Sequence, residues 1–207
     1  LIDGTILDDT AIDVGADGTI RVLVSDNAQT TDASDQTVSL AVFARDGTHL
    51  NELGRAFDVA RGQKVEAVHF TSSPLGDKAY VVTAPADDEI AVDPGGVPIV
   101  PVTNPLTVVD LKDARAPRIA GALDVGSYTA LLEPVDDTHV VAVGVDAERG
   151  PVALSLTLFD VSDDAHPAIV ERTSFGDDNS GSQALVDRHA FTYFPAERAL
   201  AIPFQRF

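Results

Sequence analysis

Apolar and polar side chains alternate with a period of two along six stretches of the chain. They are Thr19–Ser25 (TIRVLVS), Thr37–Ala44 (TVSLAVFA), Lys78–Ala84 (KAYVVTA), Leu106–Leu111 (LTVVDL), His139–Val145 (HVVAVGV) and Leu154–Val161 (LSLTLFDV). Successive side chains of a strand point to opposite faces, so this period, in segments rich in Val, Thr and aromatic residues, predicts β-strands. Clusters of Gly, Asp, Asn and Pro separate the stretches, as tight turns require. Helical spacing is not sustained anywhere. DDTAIDV and VEAVHF are too short, and GSQALVDRHAF alternates as well as it spirals. The pattern predicts an all-β chain.

The strands belong to repeats. Pro105–Val125 overlays Ser155–Phe175 at a shift of fifty residues, pairing Leu106 with Leu156, Thr107 with Thr157 and Asp110 with Asp160. The same overlay pairs Asp113 with Asp163, Pro117 with Pro167 and Ile119 with Ile169. Ser39–Gly54 is a weaker third copy. Each copy follows a strand–turn–strand segment, so one unit holds four strands and recurs every 40–50 residues or so, the spacing of a β-propeller blade. The fold class expected is an all-β propeller with antiparallel four-stranded blades. About three and a half blades are counted: Ile6–Val59, Arg61–Asp124, Val125–Phe175 and a partial fourth over Ser182–Phe207. The second carries a proline-rich insertion, Ala86–Asn104, that cannot run as a central strand because proline lacks the ladder N–H. An open arc leaves apolar blade faces uncovered. The remaining blades are therefore expected from the rest of the polypeptide or from a second copy.

Composition narrows the partners. The chain has 207 residues, 44% of them hydrophobic, enough for a real core. It contains no Cys, which removes disulfides, thiolate metal sites and cysteine nucleophiles. It contains no Met either, which predicts a processed chain or an excised fragment, and no signal peptide is expected in the stretch that opens at Leu1. No apolar run reaches the roughly 18 residues of a membrane-spanning helix, so membrane insertion is not expected. The formal charge is −19, from 33 acidic and 14 basic residues. A field of that sign repels phosphate backbones and argues against nucleic-acid partners.

Seven motifs in order, from about residue 50 to the end, are similar to those of the bacterial secreted β-propeller domain family, distant relatives of WD-repeat propellers. They are His69-Phe70, AYVVTA (Ala79–Ala84), NPLTVVDLKDARAPRIAGAL (Asn104–Leu123), SYTALLEPV (Ser127–Val135), LSLTLFDVSDDAHP (Leu154–Pro167), DRHAF (Asp187–Phe191) and LAIPF (Leu200–Phe204). The chain departs from the family pattern at four places. His69 stands for an Arg, Asn104 for an Asp and Glu133 for a His, and the His of DRHAF is shifted by one. A ligand role at those positions does not carry over. The resemblance implies a secreted or cell-envelope propeller, with no enzymatic activity attached.

Candidate chemistry is sparse. The acidic turns DLKDARAP and FDVSDDAHP recur in two blades, which assigns Asp110, Asp113, Asp160 and Asp163 to turn-making. His166 and Asp164 do not recur, so no site is assigned to them. DVGADGT lacks the glutamate of a calcium loop and reads as a hairpin at Asp17-Gly18. Asp177, Asp178 and Asn179 place oxygen donors on an inter-blade loop and are the candidate metal ligands, with calcium the ion their chemistry suits. Asp187, His189 and Glu133 are the candidate ligand-binding residues. The five histidines show no zinc spacing, no Ser lies in a nucleophile elbow, and no catalytic residue is assigned. The function expected is a non-catalytic secreted or envelope module that binds or scaffolds a protein or glycan. The alternative is an extracellular propeller hydrolase or lyase using loop carboxylates, with calcium assisting.

Overall fold

The computed structural model describes residues 4–6, 9–26, 36–73, 76–85, 91–92, 98–99, 104–146, 153–176 and 180–206. Three four-stranded antiparallel sheets follow one another along the chain. The first is built from β1 (Ile12–Val14), β2 (Ile20–Asp26), β3 (Thr37–Asp46) and β4 (His49–Arg61), in that spatial order. The second contains β5 (Gln63–Ser73), β6 (Gly76–Pro85), β9 (Pro105–Asp110) and β10 (Arg118–Asp124). Between β6 and β9 a small ribbon interrupts the count, β7 (Ala91–Val92) paired with β8 (Pro98–Ile99). The rest of the proline-rich insertion lies outside the described residues. The third sheet is β11 (Tyr128–Pro134), β12 (His139–Asp146), β13 (Ala153–Asp160) and β14 (Ala168–Phe175). Two short ribbons end the chain: β16 (Thr192–Phe194) with β17 (Ala199–Ala201), and β15 (Ser180–Gly181) with β18 (Gln205–Arg206). The only helical turns among the described residues are 3-10 turns such as Gln183–Leu185 and Arg188–Ala190.

Sheet-to-sheet contact is closest at the first strands. The turn Asp9–Ala11, then β5, β11 and the turn Gln183–Leu185 pack in series, while β4 meets β10 on the opposite side. This is the radial stacking of propeller blades, with the first strand of each innermost. Among the described residues no closed ring forms, and the sheets make an arc.

Apolar residues fill the gaps between blades. Leu40 and Val42 of the first sheet pack with Val68, Val81 and Val109 of the second. Tyr80, Leu106 and Val108 of the second pack with Leu132, Val140 and Phe159 of the third. Val143 and Leu154 then meet Phe191 and Ala184 from the last segment. Each fully buried Leu, Val or Phe contributes about 1.5–3 kcal/mol relative to exposure. The six stretches identified from alternation correspond to β2, β3, β6, β9, β12 and β13, the two middle strands of each sheet. Middle strands are covered on both faces, which explains their density of β-branched residues.

The repeated Asp–Pro turns dock each blade on the one before. Gly54 of β4 lies under the Arg115 carbonyl, where an added Cβ would sit 2.6 Å from that oxygen. Gly121 of β10 takes the same position beneath the Asp164 and Ala165 carbonyls. Glycine is needed at both because backbone approaches backbone too closely for a side chain.

Candidate functional site

The innermost strands β5 and β11 each carry a bulge, between Val65 and Ala67 and between Thr129 and Leu131. A bulge inserts one unpaired residue and re-aims the side chains beyond it. Two residues past each bulge stand His69, paired with Tyr80, and Glu133, paired with Val141. These equivalent positions on adjacent blades bring His69 Nδ1 to 3.7 Å from Glu133 Oε2. Burial pushes the His69 imidazole below its ordinary value. Hydrogen bonding to the Leu132 backbone opposes that shift, the Arg188 charge adds to it, and the Asp13 charge opposes it. Burial raises Glu133 and the Arg188 guanidinium partly offsets the rise. Asp13 on β1, His69 on β5, Glu133 on β11 and Arg188 in the last segment thus lie within electrostatic reach along the inner side of the arc. Each comes from a successive blade unit.

Asp187 and His189 stay local. Asp187 caps the turn Arg188–Ala190, its Oδ1 accepting the His189 backbone N–H at 2.9 Å and lying 3.1 Å from His189 Nδ1. Those bonds hold the Asp187 carboxyl below the usual range, the backbone one most strongly. The His189 ring itself is exposed. The residue from this motif that reaches Glu133 electrostatically is Arg188. Asp177, Asp178 and Asn179 lie outside the described residues. Among the described residues, no three His, Asp or Glu side chains gather as a metal site.

The acidic turns are occupied by their own backbones. Asp110 Oδ1 accepts the Lys112 N–H at 3.0 Å, and Asp160 Oδ1 accepts that of Ser162 at 2.8 Å. Asp113 and Asp163 accept the N–H groups of Arg115 and Ala165 at 2.9 and 3.0 Å. His166 Nδ1 closes on Asp163 at 2.9 Å. Asp110 also accepts from Arg118 of β10 at 2.7 Å, and Asp164 leaves its turn to meet Lys78 of the preceding blade.

Two further features lie away from the site residues expected from the sequence. Near the other end of β5, Glu66 meets Asn104 and the backbone of Thr129, joining the second sheet to the third. A cavity of about 390 Å³ lies between the third sheet and the β16–β17 ribbon, lined by Val141, Leu156, Leu158, Tyr193, Leu200 and Glu171 among others. Glu171 pairs with Leu158 at the register that Gly54 and Gly121 occupy in the first two blades. The outer face of the third blade therefore lacks the glycine seat on which an Asp–Pro turn would dock.

Serial four-stranded sheets, inner bulges in register and turn-on-glycine docking agree with a family model, the β-propeller domain, which matches residues 1–207. The chain belongs to the β-propeller domain family. An uncharacterized protein of Methanocaldococcus jannaschii is 28% identical to this propeller chain over 154 residues, 74% of this chain and 21% of that protein. An uncharacterized protein of Archaeoglobus fulgidus is 35% identical over 89 residues, 43% of this chain and 13% of that protein. The propeller chain thus spans about a fifth or less of the length of these two relatives. Both are archaeal.

Proposed function

We propose that this propeller arc is a non-catalytic binding or scaffolding module, secreted or held in the cell envelope, that presents its inner-strand cluster to a protein or glycan partner. One observation carries the reading. Glu133, His69 and Arg188 gather along the inner side of the arc, while the carboxylates of the acidic turns are tied to their own backbones. Arg188 is exposed and supplies a forked donor; Glu133 supplies an acceptor. That combination suits hydroxyl, amide and carboxylate groups of a polar ligand. The reading includes a larger ring, in which strands from elsewhere in the polypeptide or from a second copy fill the groove beside β17. The greater length of the archaeal relatives supports this.

The alternative, an extracellular hydrolase or lyase, draws on the same pair. A half-buried carboxyl raised by burial beside an imidazole is the form a general acid takes. One experiment separates the two. The chain is titrated calorimetrically against soluble polysaccharide fragments and purified envelope proteins, and the same mixtures are analysed for cleavage products. Saturable binding without products, weakened about tenfold or more by Arg188→Ala or Glu133→Gln, is the expected result; a lost charge-assisted hydrogen bond costs roughly 1.5–3 kcal/mol. Cleavage that disappears in Glu133→Gln would establish the enzyme instead.

A further inference from the structure

Asn104 stands just before β9 and is 2% exposed. Its Nδ2 donates to Glu66 Oε2 at 2.9 Å, and the Thr129 backbone N–H points at the same oxygen at 3.4 Å. Its other polar atom, Oδ1, is enclosed and has no hydrogen-bond partner among the described residues. A buried acceptor left without a donor is costly, and native interiors leave few of them. The neighbouring Glu66 cannot supply a donor while ionised, since a carboxylate only accepts. Turning the amide over does not help. Oδ1 would then face Glu66 Oε2, oxygen against oxygen, which again calls for a hydrogen between them.

We propose that Glu66 carries a proton and, as a neutral acid, donates it in a hydrogen bond to Asn104 Oδ1, closing an acid–amide ring that latches the second blade to the third. The proton comes from solvent and binds the carboxyl oxygen that does not receive Nδ2; no other bond forms or breaks. The ring then holds two hydrogen bonds, N–H to O=C and O–H to O=C, and leaves no charge buried between the blades. The Thr129 N–H ties it to β11.

The surroundings fit this state. Burial is the largest influence on Glu66 and raises it above the usual carboxylate value. Bonds from Thr129 and Asn104 and the charge of Lys64, two residues earlier on β5, act the other way. From β11 the Tyr128 phenol faces the same carboxyl and is itself raised, by burial first and then by the Glu66 charge. A carboxyl that binds its proton more tightly folded than unfolded stabilises the fold fully below its unfolded value. That contribution is lost as pH rises through the folded value. The latch is therefore closed in acid and weakened toward neutral and alkaline pH.

Two measurements test it. In a ¹³C NMR titration of the glutamate carboxyls, Glu66 is expected to titrate above the ordinary glutamate value; a midpoint at or below that value overturns the proposal. The second is the melting of Glu66→Gln, whose amide supplies the missing donor at every pH. This variant is expected to melt roughly 2–4 °C above the native chain at pH 8 and level with it at pH 4. A difference that does not change between the two pH values overturns the latch. If the variant does not fold, the NMR titration on the native chain decides alone.

Discussion

Asp163 and Glu133 are both carboxylates near a histidine, and their surroundings push them in opposite directions. Asp163 sits in an exposed turn, where the His166 side chain and the Ala165 N–H hold it below the usual range. Glu133 lies on an inner strand, where burial raises it. Solvent keeps the first pair weak, while loss of solvent makes the second sensitive to protonation. His69 gives this a measurable sign. Its folded value is lowered, chiefly by burial, so the unfolded chain binds a proton more readily than the native one. Native stability is then full above the unfolded histidine value, about 6.5, and is lost as pH falls through it toward the lowered folded value. Arg188, Asp13 and Glu133 face the ring, and only Arg188 reinforces the shift from the neighbouring segment. Between pH 7 and 5 the native chain is expected to lose roughly 2 °C more in melting temperature than His69→Gln. Equal losses would mean that burial of this ring costs nothing on protonation.

At the scale of strands and turns, legibility follows burial. β6 and β13 are covered on both faces and announce themselves as dense Val, Leu and aromatic runs. β10 and β14 are outer strands, largely exposed, and are legible only through the overlay of Asp110, Asp113 and Pro117 on Asp160, Asp163 and Pro167. The His69–Glu133 pair was not legible as a pair. These residues are 64 positions apart, whereas the turn repeat is offset by fifty, because the insertion falls between β6 and β9. The bulges then shift the parity of β5 and β11, so alternation does not say which side chains face inward. Nor does a sequence show which backbones touch, and Gly54 and Gly121 look like ordinary glycines until the turns are seated on them. Gly121→Val tests the seat. Its Cβ meets the Asp164 and Ala165 carbonyls, backbone atoms that cannot step aside as a flexible side chain does. The expected cost is about 1–3 kcal/mol, read as a lower denaturant midpoint at unchanged slope. The matching change at Glu171→Gly, where no such turn sits among the described residues, is expected to stay within roughly 1 kcal/mol.

Across the whole molecule, cations are scarce and those that are buried stitch blades together. Arg21 of β2 is 2% exposed and reaches Asp13 in its own sheet and Ser72 and Asp77 in the next. Lys78 of β6 is 3% exposed and reaches Asp164 in the turn between β13 and β14. With a net charge of −19, the blades repel one another, and each buried cation sits where it cancels part of that repulsion at a junction. Two electrostatic contributions are therefore separable by salt. The diffuse repulsion acts through solvent and is screened, so the melting temperature of the native chain is expected to rise as NaCl goes from 0.02 to about 1 M. The Lys78–Asp164 contact is shielded from solvent and is screened much less. Asp164→Asn removes the counter-charge and leaves the Lys78 ammonium buried, at a cost of about 3 kcal/mol, or roughly 6–12 °C in a domain of this size. Lys78→Met combined with Asp164→Asn removes the orphaned charge and is expected to recover most of that loss. The gap between Asp164→Asn and the native chain should persist at high salt while both melting curves move upward. A gap that closes with salt would place the pair in solvent and reduce it to a surface contact of less than about 1 kcal/mol.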